Sequence, residues 1–530
     1  MRWLLAALVA WAAWAAPGAA ALRVLGVVPV PAKSHHGVLQ ALLRGLAEKG
    51  HSVTSLEFFP PAPPAPDNYT SVLLDDAFMD AFKGSFNPFD MAAMPYVMRV
   101  FFLWSMGSVV GEGVLQQPAV QALARGEKGR FDVVIVESFF NEAFLGLAHI
   151  FDAPIIQVCP YVGSSWMYSA TGSPSPAAYV PDPFLPFNDR MSFVQRFINF
   201  VFGVFQELGR ELYYLPAQDA VMRRWLSVDA RRPLPHVRDL QRATALMLVN
   251  AHVAVSYPRP LMPTLVPVGG MHVRPGKPLP EDLNKIITNA RDGVIYFSMG
   301  SALQSSQMPQ EKVAGILEVF ASLKQVVIWK WEADTLPGKP ANVEIRKWLP
   351  QNDILAHPNV KLFITHGGLL SSLEAIYHGV SLIGIPVFGD QQLNMERASL
   401  AGYAIQIPYK EFSGTTLRNA LNEMFSNTRY SENAKHLSRL FRDQPETPLE
   451  RAIWWIEYTS RHKGAPHLQS AAKDLSWYQY HLLDVYLVIL GIVLLFVISF
   501  WWFSSFLYRI LFLKQNKVTS QSQKKSKKRN

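Results

Sequence analysis

From Lys361 to Gln391 the chain reads KLFITHGGLLSSLEAIYHGVSLIGIPVFGDQ, and this run leaves it little choice of fold. Lys361 to Ile364 is a short apolar strand ending in Thr365-His366-Gly367-Gly368, and Leu369 to His378 then has helical spacing. Two glycines between strand and helix let backbone N–H groups approach an anion closely. The helix N-terminus adds its partial positive charge. His366 can donate a further hydrogen bond. Glu374 lies eight residues on, deep enough in the helix to meet a neutral, hydroxylated part of the same ligand. A second strand, Leu382 to Ile385, leads through Pro386 to Gly389-Asp390-Gln391. An acid beside an amide at a strand's C-terminal end suits sugar hydroxyls, which both donate and accept.

Upstream of this run stand Trp348 and Gln351. The set Trp348, Gln351, His366-Gly367-Gly368, Glu374, Pro386 and Asp390-Gln391 resembles the signature of the UDP-glycosyltransferase family. The resemblance implies two Rossmann-like domains facing a cleft, the α/β architecture called GT-B, with a C-terminal transmembrane helix. It implies that Trp348 stacks on uracil, Gln351 contacts the nucleoside, and Glu374 holds the ribose. His366 and Gly368 would hold the diphosphate, joined by Gly300 and Ser301 after the strand Gly293 to Ser298. Asp390 and Gln391 would hold the transferred sugar. Two departures show: Leu370 and Ser371 stand where the family often has Asn and Gly, and Ser381 where it often has Pro. Ser371 retains a donor for phosphate; Leu370 does not. The Leu369-Leu370-Ser371 form resembles the insect branch.

The N-terminal half opens with a βαβ pattern. Arg23 to Val30 reads as a buried parallel strand, residues 31–35 as a loop, Val38 to Glu48 as a helix and Ser52 to Phe58 as the next strand. Ligands bind such sheets beyond the C-terminal ends of the strands. A histidine in the first strand-to-helix loop is therefore well placed for chemistry, and by resemblance, at the family's interval before Gly50-His51, His35 is the base, with its neighbour His36 as rival. By resemblance, the acid that partners the base falls at Glu137, after the strand Val133 to Val136. The family usually has Asp there, and Glu142 is the alternative. Glu137 also reads as an ordinary acid near the start of a following helix.

Residues 88–110 and 191–214 are rich in aromatic and aliphatic side chains. They read as core helices, with an apolar acceptor pocket or a surface touching a bilayer left open. Asn68-Tyr69-Thr70, after the stiff segment Pro60 to Pro66, is a glycosylation sequon. Cys159, the one cysteine, allows no intrachain disulfide and reads as a small buried apolar residue.

The sequence divides into a signal segment (1–21), an N-terminal acceptor-binding domain (22–270), a linker (271–284) and a C-terminal UDP-sugar domain (285–445). A returning helix and juxtamembrane segment (446–484), a spanning helix (485–507) and a basic tail (508–530) follow. Val485 to Leu507 carries no charge and would reach about 34 Å as a helix, enough to cross a bilayer. Of the net charge of +9, seven units lie in the tail from Lys514, leaving two for the rest, so the charge does not indicate a nucleic-acid partner. The basic tail after the spanning helix predicts type I topology. Lys527-Lys528-Arg529-Asn530 resembles a dilysine retrieval address for the endoplasmic reticulum.

These readings predict metal-independent, cofactor-free, inverting transfer of a hexose, glucose rather than glucuronate, from a UDP-sugar to small lipophilic acceptors. Arg259 would favour UDP-glucuronate if it faces the cleft. A lipid or sterol glycosyltransferase, a non-catalytic lipophile binder on the same scaffold, and a homo-oligomer remain compatible with the sequence.

Overall fold

The computed structural model describes residues 21–79 and 87–527. The expected signal segment lies outside them except for Ala21, as do Lys528, Arg529 and Asn530 of the expected retrieval address.

Seven strands form the first sheet: β1 (Arg23–Val27), β2 (Ser52–Glu57), β3 (Tyr69–Leu73), β4 (Val133–Glu137), β5 (Ile155–Cys159), β6 (Thr244–Val249) and β7 (Leu265–Pro267). Their order is β3-β2-β1-β4-β5-β6-β7 and every pair is parallel. Six more form the second: β8 (Val294–Ser298), β9 (Val326–Lys330), β10 (Val343–Arg346), β11 (Val360–Thr365), β12 (Ser381–Gly384) and β13 (Ala404–Gln406). Their order is β10-β9-β8-β11-β12-β13, again all parallel. Strands such as β4 and β8 are buried along their whole length, as parallel strands covered by helices on both faces must be. Each sheet reverses direction of growth once, between β1 and β4 and between β8 and β11. At such a point the connections leave in opposite directions and open a crevice at the strand ends.

The first connection corrects the sequence reading. Helix α1 spans Lys33–Glu48. Pro31 and the extended Ala32 (φ −123°, ψ 119°) precede it, so helical backbone begins five residues before the apolar spacing at Val38 reveals it. His35 therefore sits in the first helical turn and not in the preceding loop. The stretch 88–110 contributes α2 (Tyr96–Leu115), which buries Val100, Trp104, Val110 and Val114 as a core helix should. The stretch 191–214 does not follow that expectation. Its helix α3 (Phe193–Gly209) buries only Asn199, Phe202 and Gln206, half-buries Phe205 against Trp104 and turns most of its other apolar side chains outward. Apolar content alone does not say which face points inward, and here buried hydrogen-bonding partners decide it. The side chain of Asn199 donates to the carbonyls of Ala177 and Val180, and that of Gln206 donates to Asp182.

Asn68 enters β3, a strand the sequence did not suggest. Its amide nitrogen donates to the carbonyls of Ala47 and His51 at 2.8 and 2.7 Å. Both donor hydrogens are in use, so this geometry opposes the glycosylation expected there. Cys159 is fully buried at the end of β5, as expected.

In the second sheet, α4 (Leu369–His378) follows β11 and α5 (Gln391–Leu400) follows β12. A later helix, α6 (Pro448–Arg461), packs Ile453 against α1 at Gly45 and pairs Glu457 with His51 at 3.0 Å. It thus returns to the first sheet's helical layer. Residues from 471 onward form a separate unit dominated by α7 (Leu483–Lys527), whose apolar surface is exposed throughout.

The loop after β4 is held by close packing. A Cβ on Gly107 of α2 would lie 2.1 Å from the carbonyl oxygen of Phe140, a backbone atom that cannot swing aside. Gly107→Ala should cost about 1–3 kcal/mol of stability, the usual scale for overpacking. Gly203→Ala, whose methyl meets open space, should leave the thermal unfolding midpoint of the solubilised chain unchanged or slightly raised.

Candidate active site

β1 and β4 lie side by side, with Val27 level with Val136, so the helix after β1 starts beside the end of β4. This register brings His35 onto Glu137, and His35 Nδ1 meets Glu137 Oε1. The Glu137 side chain is fully buried, while the imidazole retains some exposure. The second carboxylate oxygen, Oε2, is buried without a hydrogen-bond partner among the described residues. Phe139 packs edge-on against the imidazole at 4.5 Å between centroids and fixes its plane. With Nδ1 committed to the carboxylate, Nε2 is the nitrogen left for chemistry.

The two rivals are accounted for. Glu142 accepts from Arg210 at 2.7 Å and from Tyr214 at 2.5 Å inside the core, so it is not the partner of His35. His36 is buried against Phe59. Burial, with the neighbouring His35, pushes its pKa down to about 4, so it is a neutral packing residue near pH 7.

The second sheet repeats the device. Ser298 of β8 is level with Thr365 of β11, so Gly300 and Ser301 after one strand stand beside His366 after the other. The His366 ring lies between two glycines. A Cβ on Gly300 would come within 2.4 Å of its Cε1, and one on Gly368 within 2.4 Å of its Nε2. Gly300 also has φ +82°, which other residues rarely adopt. Burial, together with the charge of Lys330, lowers the His366 pKa to about 4. The ring is therefore neutral near pH 7, with one N–H to donate. Helix α4 begins immediately after Gly368, and no side chain caps it. Its first amides are left to an external acceptor or to water.

Gln351, Ser371 and Glu374 form one network. Gln351 Nε2 donates to Glu374 Oε2 at 2.5 Å and to Ser371 Oγ at 2.9 Å, and Tyr296 donates to Gln351 Oε1 at 3.2 Å. Ser371 is an acceptor in this network and keeps its own hydrogen to give. Burial pushes the Glu374 carboxyl up to about 7, with the Gln351 bond opposing the shift. Trp348 is 60% exposed, with the Lys33 ammonium of α1 4.4 Å from its ring.

Asp390 and Gln391 close the site. Gln391 Oε1 accepts from the backbone N–H groups of Val387 and Phe388 at 2.9 and 3.1 Å, which leaves its NH2 as the free end. Asp390 accepts from Asn394 at 3.0 Å, and Asn394 also donates to the Gly367 carbonyl at 3.1 Å. Burial raises the Asp390 pKa, while the Asn394 bond and the nearby His35 imidazole act against it. The base candidate of the first sheet and the acid of the second thus share one electrostatic environment. Arg259 lines a small pocket with Tyr257, Leu369, Asn394 and Arg397, and its guanidinium lies over the Tyr168 ring at 5.0 Å.

Asn394, Tyr296 and Lys33 were not singled out from the sequence. Asn394 had a readable signal, since it stands one helical turn after Asp390. Tyr296 and Lys33 had none, because strand pairing and the facing of the two sheets bring them in. Among the described residues no cluster of three or more His, Cys, Asp or Glu side chains is arranged to hold a metal ion.

Residues 102–518 match the sequence profile described as UDP-glucoronosyl and UDP-glucosyl transferase. UDP-glycosyltransferase UGT5 of Dactylopius coccus is 36% identical over 469 residues, covering 87% of this chain and 88% of that one. UDP-glucosyltransferase 2 of the same insect is 34% identical, with the same coverage of each chain. UDP-glucuronosyltransferase 2C1 of Oryctolagus cuniculus is 35% identical over 377 residues, covering 70% of this chain and 73% of that one. Among solved structures, glycosyltransferase VinC in complex with dTDP superposes with a TM-score of 0.57 at 15% identity, covering 83% of this chain and all of VinC. A UDP-glucosyltransferase from Polygonum tinctorium gives 0.56 at 17% identity, covering 83% of this chain and 99% of that one. These two show the shared GT-B fold. With a profile match over most of its length and relatives above 30% identity across both sheets, the chain is a GT-B enzyme of the UDP-glucuronosyl and UDP-glucosyl transferase family.

Proposed function

We propose that the chain transfers glucose, with inversion, from UDP-glucose to a hydroxyl group of small lipophilic acceptors, a detoxification-type reaction. The observation that carries this reading is the His35–Glu137 pair, whose imidazole is near enough to Asp390 to act on its charge, together with the uncapped N-terminus of α4. In this reading Glu137 holds the proton on Nδ1 of His35, and Nε2 takes the proton of the acceptor hydroxyl. The acceptor oxygen attacks the anomeric carbon from the face opposite UDP. The carbon–oxygen bond to the diphosphate breaks, and UDP leaves with the electron pair.

The departing charge meets the first amides of α4, the N–H of neutral His366 and the hydroxyls of Ser301 and Ser371. Trp348 and Gln351 bind the nucleoside and Glu374 the ribose. Asp390 and the free NH2 of Gln391 orient the sugar. The protein groups and the donor supply all the chemistry, with no metal or cofactor. The glucose assignment is supported by the insect relative named as a glucosyltransferase. The basic stretch from Lys514, in the C-terminal part of α7, supports a type I orientation, with the catalytic body on the lumenal side of the endoplasmic reticulum membrane.

His35→Ala should lower transfer to a phenol by about a hundredfold to ten-thousandfold, the usual contribution of a general base. UDP affinity should stay nearly unchanged. UDP release from microsomes given UDP-glucose and a phenol panel measures the first, and calorimetry with UDP the second. Full activity in His35→Ala overturns the mechanism.

A carboxylate accepts two ribose hydroxyls, and a protonated carboxyl does so less well, so UDP should prefer ionised Glu374. Its free-state pKa of about 7 then sets the sign: affinity is weak below that value and grows as pH rises through it. The gain between about pH 6 and pH 8 should approach about tenfold. Glu374→Gln should remove that dependence, and an unchanged pH profile in this variant assigns the effect elsewhere.

Glucuronate is the second reading, supported by the relative named as a glucuronosyltransferase; Arg259 lines a pocket beside Asn394, and a carboxylate reaching that pocket would meet its guanidinium. Offered both donors, the wild-type chain should yield mainly glucoside. A glucuronide product that Arg259→Met removes selectively would establish the second reading instead.

A further inference from the structure

Helix α5, which opens on the Asp390-Gln391 turn, is gripped by side chains from the first sheet's domain. Tyr96, the first residue of α2, donates its hydroxyl to Gln392 Oε1 at 3.0 Å, and Asn188 donates to Glu396 Oε1 at 3.1 Å. Positions 392 and 396 are about one helical turn apart and share a face of α5. Directly after them, the Arg397 guanidinium donates to the Ala254 carbonyl at 3.4 Å. The three pairs are 296, 208 and 143 positions apart in sequence, so each depends on how the two sheets meet.

Tyr96 is itself braced. Ahead of it, the side chain of Asn87 accepts from the Phe89 amide and donates to the Gln307 carbonyl, both at 3.0 Å. Phe89 is only 3% exposed and belongs to the core of the second sheet's domain, where it stacks on Tyr409 at 5.2 Å. Arg99, buried one turn into α2, donates to the carbonyls of Met94 and Ala92, and its guanidinium lies 4.7 Å from the Tyr96 ring. A strap from Asn87 to Tyr96 therefore plugs into the second domain at one end and reaches α5 at the other.

The bonds inside the sugar turn fix its shape. Gln391 is tied to Val387 and Phe388, and Asp390 to Asn394. None of them fixes the distance from that turn to His35, which belongs to the other domain. Only bonds that cross between the domains can do so, and an error of about 1 Å between reacting groups can cost a hundredfold in rate. Trp348, Gln351, Glu374 and the start of α4 lie on elements that these three bonds do not touch.

We propose that Tyr96 is a positioning residue for the transferred sugar, acting through Gln392 to hold the Asp390-Gln391 turn at its working distance from His35. The proposal rests on the reading that Asp390 and Gln391 hold the sugar. It makes the first sheet's domain part of the donor-sugar site, while the nucleotide contacts stay with the second.

The test uses the full-length chain in microsomes, a phenol acceptor, and whichever of UDP-glucose and UDP-glucuronate the wild-type chain turns over. Tyr96→Phe keeps the ring against Arg99 and removes only the hydroxyl. It should lower kcat/KM for the sugar nucleotide by about threefold to tenfold, the scale of one hydrogen bond. UDP affinity by calorimetry and the KM for the phenol should not move. Gln392→Leu should behave alike, and the double variant should lose no more than the worse single one, because both remove the same bond. Wild-type kcat/KM in Tyr96→Phe overturns the proposal, as do equal losses for UDP and the sugar nucleotide, a change confined to the phenol KM, or losses that add in the double variant. Asp390→Asn tests the underlying reading separately: it should depress transfer far more than Tyr96→Phe and spare UDP affinity. If it does so while Tyr96→Phe is inert, the sugar assignment stands and Tyr96 has no part in it. If Asp390→Asn is itself inert, the sugar assignment fails and the proposal with it.

Discussion

The site depends on two pairs of strand ends held in register. β1 beside β4 delivers the start of α1 to the end of β4, and β8 beside β11 delivers the Gly300 loop to His366. Parallel pairing slides in whole residues and alternates faces, so a slip of one residue would turn Glu137 or Thr365 to the opposite side of its sheet. Apolar cover on both faces of each sheet makes such a slip costly. The chemistry is therefore placed by the core and not by the flexibility of its loops.

On that frame the electrostatics are divided. His36 and His366 are kept neutral by burial, and Glu374 is moved toward neutrality. Glu137, fully buried with one oxygen unpartnered among the described residues, depends on His35 for compensation. Removing one member of such a pair leaves a charge the interior cannot solvate, so in the proposed reaction base and acid act as a unit. The neutral His366 fits between its glycines as a donor without fixed charge. In the proposed reaction it aims a hydrogen bond at the diphosphate while α4 supplies the positive field.

The longer acid at position 137 is accommodated by packing around it. The turn after β4 passes through Phe140 at φ +54°, and Gly107 of α2 lies against that residue's carbonyl. Behind it Glu142, Arg210 and Tyr214 form a closed cluster with Arg210 over the Trp166 ring at 3.6 Å. That cluster removes the competing acid from reach of His35 and ties the same turn to the segment that carries α3. The loop bearing Glu137 and the outward apolar helix thus share one buried anchor.

Much of this was legible in the residues. Strands of continuous Val, Ile and Phe, glycines at β11's end and the spacing from Trp348 to Gln391 determined two parallel sheets, a glycine-flanked helix start and the family. An uncharged 23-residue run determined a helix able to span a membrane. Those are local properties, written in periodicity and in residue type. The choice of Glu137 over Glu142, the neutrality of His366, the engagement of the Asn68 nitrogen and the outward face of α3 belong to the tertiary structure alone. Each depends on which distant group fills the space beside a side chain. Arg210 reaches Glu142 across 68 positions of sequence, and Asp182 meets Gln206 across 24. A linear pattern records what a residue can do; only the packed chain decides which partner it meets and whether water is present.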